Sequence, residues 1–80
     1  MVQTKEEIQR TFGNMLRKRR TQMGISQEEL ANRAGLDRTY ISLIERGHRT
    51  PSIYTLLAIY HQLDVSAADQ IRELESLYRS

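Results

Sequence analysis

The sequence predicts a compact, all-α domain of five helices that occupies residues 1–80. Residues suited to capping helix N-termini stand at five places, Thr4, Ser26, Asp37, Ser52 and Ser66, where a side-chain oxygen can accept a hydrogen bond from a free backbone N–H. Behind each cap, apolar residues recur at near-helical spacing, which is typical of one buried helix face. Eighty residues make a single domain near the lower size limit for independent folding, so a partner subunit would help.

The first helix is predicted from about Lys5 to Met23. Thr4 and Glu7 form a capping box, in which each side chain binds the backbone N–H of the other residue. Gly13 costs helix stability, so we expect it to permit the close approach of a neighbouring helix. The apolar stripe of this helix comprises Ile8, Phe12, Met15, Leu16 and Met23.

The second and third helices are short and lie close together in the sequence. A second capping box, from Ser26 to Glu29, opens a helix that ends at Gly35. Asp37 caps the next helix, and Gly47 suits the left-handed residue that closes it. Two short helices joined by a tight turn containing glycine form a helix-turn-helix, whose second helix enters the major groove of DNA.

The fourth and fifth helices are predicted from about Ile53 to Gln62 and from about Ala67 to Tyr78. Ser52 and Ser66 cap them, and Asp69 supports the first turn of the fifth helix. The apolar side of the fourth helix comprises Ile53, Leu56, Leu57 and Tyr60.

The apolar stripe of the fifth helix lies near the end of the chain, so it either folds back on its own domain or packs on a second copy. We favour a homodimer, because five helices would otherwise end on an exposed apolar seam. The expected interface combines this stripe with residues of the preceding helix: Leu57, Tyr60, Leu63, Ile71, Leu74, Leu77 and Tyr78.

Charge is distributed unevenly along the chain. Residues 1–51 hold ten Lys and Arg against six Asp and Glu, whereas residues 52–80 hold two against four. The first part could face phosphates, which leaves the acidic second part for another task. The alternative interpretation is that the basic residues of the first part are ordinary surface charge and bind no phosphate.

Composition argues against several other classes of protein. There is no cysteine, which excludes a disulfide framework and a thiolate metal site and fits a reducing cytoplasm. No apolar run approaches the roughly 20 residues of a membrane span. The two histidines lie in separate elements without metal spacing, and no glycine-rich phosphate loop is present. We therefore expect no enzyme, no cofactor, no metal, no small-molecule ligand and no membrane partner.

The third helix carries the expected contacts to double-stranded DNA. Arg38 stands in its first turn, where the planar guanidinium fits guanine O6 and N7; the alternatives are a phosphate contact or an ion pair with Asp37. Leu43 offers apolar contact to a thymine methyl or a sugar. Tyr40 could pack in the core or reach a phosphate. The complete expected set is Gln27, Arg38, Thr39, Tyr40, Ser42, Leu43, Arg46 and Arg49.

A chain of motifs carries a resemblance to a known family. The motifs are Leu16-Arg17 with Arg20, residues 24–31, residues 36–47, and residues 49–52 with Leu56. Together they resemble the lambda-repressor-like (XRE-type) helix-turn-helix regulators of bacteria and phages. Residues 37–42 and 44–46 look most like the controller proteins of restriction-modification systems, which are dimeric regulators that set the timing of endonuclease expression; Leu43 departs from that pattern, because many controllers carry a glycine there.

The resemblance implies roles for three residues. It implies a salt bridge between Arg20 in the first helix and Glu45 at the end of the recognition helix. It also implies that Arg49, in the loop after that helix, approaches the DNA backbone or the minor groove. The implied function is a dimeric, cytoplasmic, nucleoid-associated regulator that binds a pseudo-palindromic operator.

Three other functions compete with a restriction-modification controller. A phage-type repressor and an antitoxin-type autoregulator would use the same fold to bind DNA. A module that binds only proteins belongs to a different class, and it predicts a neutral recognition face. The basic residues Arg38, Arg46 and Arg49 argue against that third function.

Overall fold

A computed structural model of the chain describes residues 2–80. Its five helices form a body of 38 × 22 × 22 Å, and no strand occurs within residues 2–80. The all-α prediction is therefore confirmed. The helices are α1 (Lys5–Gln22), α2 (Gln27–Ala34), α3 (Arg38–Glu45), α4 (Ile53–His61) and α5 (Ala67–Arg79).

All five predicted caps are present at the helix N-termini. Thr4 and Glu7 complete a reciprocal capping box, with the Thr4 N–H donating to Glu7 Oε1 at 2.7 Å. This hydrogen bond lowers the pKa of the Glu7 carboxyl. Ser26, Ser52 and Ser66 each accept a backbone N–H three residues on, at 3.0–3.1 Å. The predicted helix ends agree with the structure to within about one residue. They agree because capping residues, which can be read from the sequence, determine where each helix begins.

One hydrophobic core joins the five helices. α1 packs against α3 and α5, α2 packs against α3 and α4, and α4 packs against α5. The ring centroids of Phe12 and Tyr60 lie 6.2 Å apart in this core. The side chains that are completely buried come from four of the helices: Leu16, Leu30, Ile41, Ile44 and Ile59.

Gly13 allows α1 to lie directly against the end of α3. A Cβ atom at this position would stand 2.6 Å from the carbonyl oxygen of Glu45, inside the closest normal contact. The prediction that a small residue permits close helix approach is confirmed.

The structure corrects the sequence interpretation of α4. Ile53 was assigned to the buried side, but it is 73% exposed, because the first turn of α4 extends beyond the core. Tyr60 and Leu63 were assigned to a dimer surface, but they are only 4% and 7% exposed and pack inside one chain. The Tyr60 hydroxyl donates to the buried Gln70 Oε1 at 3.2 Å, and burial raises the pKa of the Tyr60 phenol.

Candidate nucleic-acid interface

The recognition helix α3 is fixed at both ends by local chemistry. Asp37 Oδ1 accepts the backbone N–H of Thr39 at 3.1 Å, which caps the first turn. After the helix, Gly47 adopts the left-handed conformation with φ of 78°. Ile41 and Ile44 are fully buried on the inner side. The outer side of α3 is therefore held in one orientation relative to the rest of the domain.

The outer side of α3 presents polar and basic groups to solvent. Arg38 and Thr39 in the first turn and Arg46 at the C-cap are exposed, while Ser42 and Leu43 are partly buried. The Arg46 Nε donates to the carbonyl oxygen of Ser42 at 3.4 Å, which holds its side chain along the helix. These five residues are expected to contact DNA, and the structure brings them together on one surface.

Tyr40 and Arg49 differ in their surroundings. The Tyr40 ring is partly buried and packs against the core, so only part of its side chain faces outward. Arg49 is exposed in the loop after α3. Gln9 Nε2 donates to Thr50 Oγ1 at 2.8 Å, which ties this loop to α1.

Arg38 and Arg46 on this surface, and Arg49 in the loop after it, form no salt bridge with another part of residues 2–80. Within residues 2–80, no carboxylate lies within salt-bridge distance of Arg38, Arg46 or Arg49. Their charges are therefore available to an external anion, and a polyanion such as DNA gains most from several such cations on one side.

A buried ion pair fixes α3 against α1. The Arg20 guanidinium binds Glu45 through two bonds, Nε to Oε2 at 2.6 Å and Nη2 to Oε1 at 2.9 Å, and Nη1 donates to the Ile25 carbonyl at 2.9 Å. The Glu45 side chain is only 2% exposed. The hydrogen bonds to Glu45 raise the pKa of Arg20, so the guanidinium stays charged. The salt bridge that the resemblance implied is present in the structure.

Gln27 takes part in the same network, which sequence reasoning missed. Its Nε2 donates to Glu45 Oε1 at 3.1 Å across 18 residues of sequence. Gln27 and Arg38 also line a shallow polar depression together with Arg20, Ser26 and Glu28. Sequence spacing gives no signal for this contact, because Gln27 and Glu45 meet only after α2 and α3 have packed.

The predicted dimer residues divide into exposed and buried sets. Leu57 is 55% exposed, and Ile71, Leu77 and Tyr78 are also exposed. Leu74 is partly buried against the core. Sequence reasoning missed Tyr54, which is 80% exposed on the same helix as Leu57. The spacing of three residues between Tyr54 and Leu57 was the available signal, because residues three apart lie on the same side of a helix.

A family model described as helix-turn-helix matches residues 16–70 of the chain. The matched range contains α2, α3, the glycine-containing turn between them and the Arg20–Glu45 pair. The chain belongs to the helix-turn-helix family. No helix within residues 2–80 has the length and apolarity needed to cross a membrane.

Relatives of this helix-turn-helix protein include restriction-modification controllers. It is 37% identical over 70 residues to control protein C.MunI from Mycoplasma sp, covering 86% of this chain and 95% of the relative. The crystal structure of the controller protein C.AhdI from Aeromonas hydrophila superposes with a TM-score of 0.75 at 40% identity, covering 78% and 94% of the two chains. The C.Esp1396I controller tetramer, solved in complex with its natural 35 base-pair operator, gives a TM-score of 0.76 at 34% identity, covering 91% and 96%.

Proposed function

We propose that this protein is a homodimeric, sequence-specific transcriptional regulator of the controller type. It would act at the nucleoid and bind a pseudo-palindromic operator upstream of its own gene and an endonuclease gene. The observation that carries the proposal is the basic surface of α3, whose arginines form no salt bridge within residues 2–80 and whose orientation is fixed by a buried ion pair. Similarity to named controllers, one of them solved on its operator, supports the regulatory role.

Arg38 is the proposed base-reading residue. It is exposed at the first residue of α3, the end of a recognition helix that meets base edges. A bidentate contact from arginine to guanine is worth about 1–3 kcal/mol of discrimination. Thr39 would offer its methyl to a thymine or its hydroxyl to a phosphate, and Leu43 would contact a thymine methyl or a sugar.

The remaining polar groups are proposed to bind the DNA backbone. Arg46 and Ser42 lie further along α3, and Arg49 lies in the loop that follows it. Gln27 opens α2, whose first-turn N–H groups favour an anion. Because the Tyr40 ring packs against the core, only its hydroxyl would contact a phosphate. Such contacts position the domain without reading sequence.

The proposed dimer uses the exposed apolar residues of α4 and α5. Leu57, Ile71, Leu77 and Tyr78 remain from the sequence prediction, and Tyr54 joins them. Leu74 is partly buried and packs against the core, whereas Tyr60 and Leu63 belong to the core. A two-fold dimer presents two recognition helices about 34–36 Å apart, which is one turn of DNA.

Two arginine variants test the assignment of base and backbone contacts. A DNA site is first selected from a randomised pool with the unmodified protein, and affinities are then measured for that site and for random DNA. Arg38→Ala should reduce affinity for the selected site about 10-fold or more while changing random-DNA binding far less. Arg46→Ala should weaken both affinities by similar factors, because a phosphate contact carries no sequence information. Equal ratios of selected-site to random-DNA affinity in the two variants would contradict these roles.

The identity of the regulated genes tests the controller assignment separately. If the selected site lies upstream of genes for an endonuclease and a methyltransferase, the controller proposal holds. A site before a toxin gene or an integrase gene would instead assign the protein to antitoxin-type or phage-type regulation.

A further inference from the structure

Leu43 lies in the middle of the outer side of α3. At about 3.6 residues per turn, Leu43 follows Thr39 in one row along the helix, and Ile41 points about 160° away from it. Ile41 is completely buried, whereas Leu43 is partly exposed. Unlike Tyr40 on the same helix, Leu43 does not pack against the hydrophobic core. The Leu43 side chain therefore points away from the domain, on the surface proposed to face DNA.

The backbone around Leu43 is fixed in that orientation. Its carbonyl oxygen accepts the backbone N–H of His48 at 2.9 Å, and the next residue, Ile44, is completely buried. Glu45, which follows, is held against α1 by its salt bridge to Arg20. When such a helix lies in the major groove, the middle of its outer side faces the base edges, and its flanks face the sugars and phosphates. The position of Leu43 thus favours contact with a base over contact with a sugar.

An alkyl side chain can recognise one kind of group on a base edge. Leucine neither donates nor accepts hydrogen bonds, so Leu43 cannot read the nitrogen and oxygen atoms of the bases. The apolar group that a base presents in the major groove is the C5 methyl of thymine. 5-Methylcytosine carries the same methyl group at the same ring position, and unmethylated cytosine carries a hydrogen there. Contact with Leu43 therefore distinguishes methylated from unmethylated pyrimidines.

We propose that Leu43 reads the C5 methyl group of an operator pyrimidine, so that operator affinity responds to methylation of cytosine at C5. This inference rests on the proposed function. Arg38 reads the hydrogen-bonding groups of guanine, which C5 methylation of a cytosine leaves unchanged. Burial of one methyl group changes an affinity about fourfold, and a dimer that buries one in each of two half-sites gains about 15-fold.

Replacement of thymine by uracil tests the contact, because it removes the C5 methyl and nothing else. A DNA site is selected from a randomised pool with the unmodified protein, and each thymine is then replaced by uracil in both half-sites. We expect one pair of positions at which this replacement lowers affinity about 15-fold. At that pair, Leu43→Ala should bind the thymine and uracil sites with affinities within about twofold of each other. Partial loss of folding cancels, since each ratio compares two DNAs with the same variant.

Cytosine placed at the same pair of positions tests the response to methylation. Sites with cytosine and with 5-methylcytosine form the same base pair with guanine and differ only by the methyl group. The unmodified protein should bind the methylated site about 15-fold more tightly than the unmethylated site. Leu43→Ala should bind both sites alike.

Thr39→Ser is the matched control variant. Thr39 precedes Leu43 in the same row, and serine keeps its hydroxyl group while removing its methyl group. This variant should keep the thymine-to-uracil affinity ratio within about twofold of the ratio for the unmodified protein. Loss of the ratio in Thr39→Ser but not in Leu43→Ala would make Thr39 the reader of the methyl group and overturn the inference.

The remaining outcomes separate this inference from the proposed function. If no thymine is sensitive to replacement by uracil, Leu43 does not contact a base methyl and the inference is wrong. A ratio that persists unchanged in Leu43→Ala would show that the methyl acts through DNA shape or another residue, with the same consequence. Equal affinity for cytosine and 5-methylcytosine sites would overturn the response to methylation. If the unmodified protein does not distinguish the selected site from random DNA, the proposed function fails instead.

Discussion

Removing Arg20 should destabilise the domain more than removing any exposed arginine. Arg20→Ala deletes two hydrogen bonds to Glu45 and one to the Ile25 carbonyl. The Glu45 carboxylate, 2% exposed, then loses its counter-charge while it remains inside the protein. Leaving a buried charge without its partner costs about 3–5 kcal/mol.

This loss is large compared with the stability of a small domain. Domains of this kind have unfolding free energies of about 5–15 kcal/mol. Each 1 kcal/mol moves the thermal midpoint of a domain of 60–100 residues by about 4–8 °C, so Arg20→Ala should lower the midpoint by roughly 12 °C or more. The assay is thermal unfolding followed by circular dichroism, at one protein concentration for all variants because dimerisation would stabilise the folded state.

Two further variants separate the ion pair from general effects of charge. Arg17→Ala removes an exposed arginine from the same helix, and it should change the unfolding free energy by no more than about 0.5 kcal/mol. The double variant Arg20→Met with Glu45→Leu replaces the pair by apolar side chains and should recover much of the lost stability. If Arg20→Ala melts at the same temperature as Arg17→Ala, the reasoning about the buried pair is wrong.

Three other changes probe packing, capping and assembly. Gly13→Ala should lower the unfolding free energy by about 1–3 kcal/mol in urea denaturation, because its Cβ would overlap the Glu45 carbonyl, while Asn14→Ala on the exposed side should have little effect. Ser26→Ala should cost about 0.5–2 kcal/mol in the same assay through loss of the α2 cap; an unchanged midpoint would mean that the cap contributes nothing. Leu57→Glu should produce monomers in sedimentation experiments at micromolar concentration, whereas His61→Gln, also exposed on α4, should not; a dimer that persists in Leu57→Glu would place the interface elsewhere.

Local signals in the sequence predicted the helices well. Asp37 and Gly47 marked the two ends of α3 because capping and a left-handed conformation depend on neighbouring backbone atoms only. The role of Gly13 was also predictable, since a glycine in a helix interior lowers helix stability unless packing requires it. The exposure of the basic residues of α3 was predictable from the position of this helix in the helix-turn-helix.

Contacts between distant residues were harder to predict. Ile53 fits the apolar period of α4 but stands beyond the end of the core, which only the packed structure reveals. Tyr60 is amphipathic, and its hydroxyl finds a partner in Gln70 on another helix, so it is buried where exposure was expected. The hydrogen bond from Gln27 to Glu45 depends on the packing of α2 against α3, and no spacing rule connects the two positions.

Hydroxyl-radical footprinting on the selected DNA site tests the central proposal most directly. A dimer that uses α3 of both chains should protect two half-sites whose centres are about 10–10.5 base pairs apart, related by a pseudo-two-fold axis. Protection should be lost with Arg38→Ala at concentrations that saturate the unmodified protein. Protection of a single half-site, or equal protection of selected and random DNA, would contradict the account.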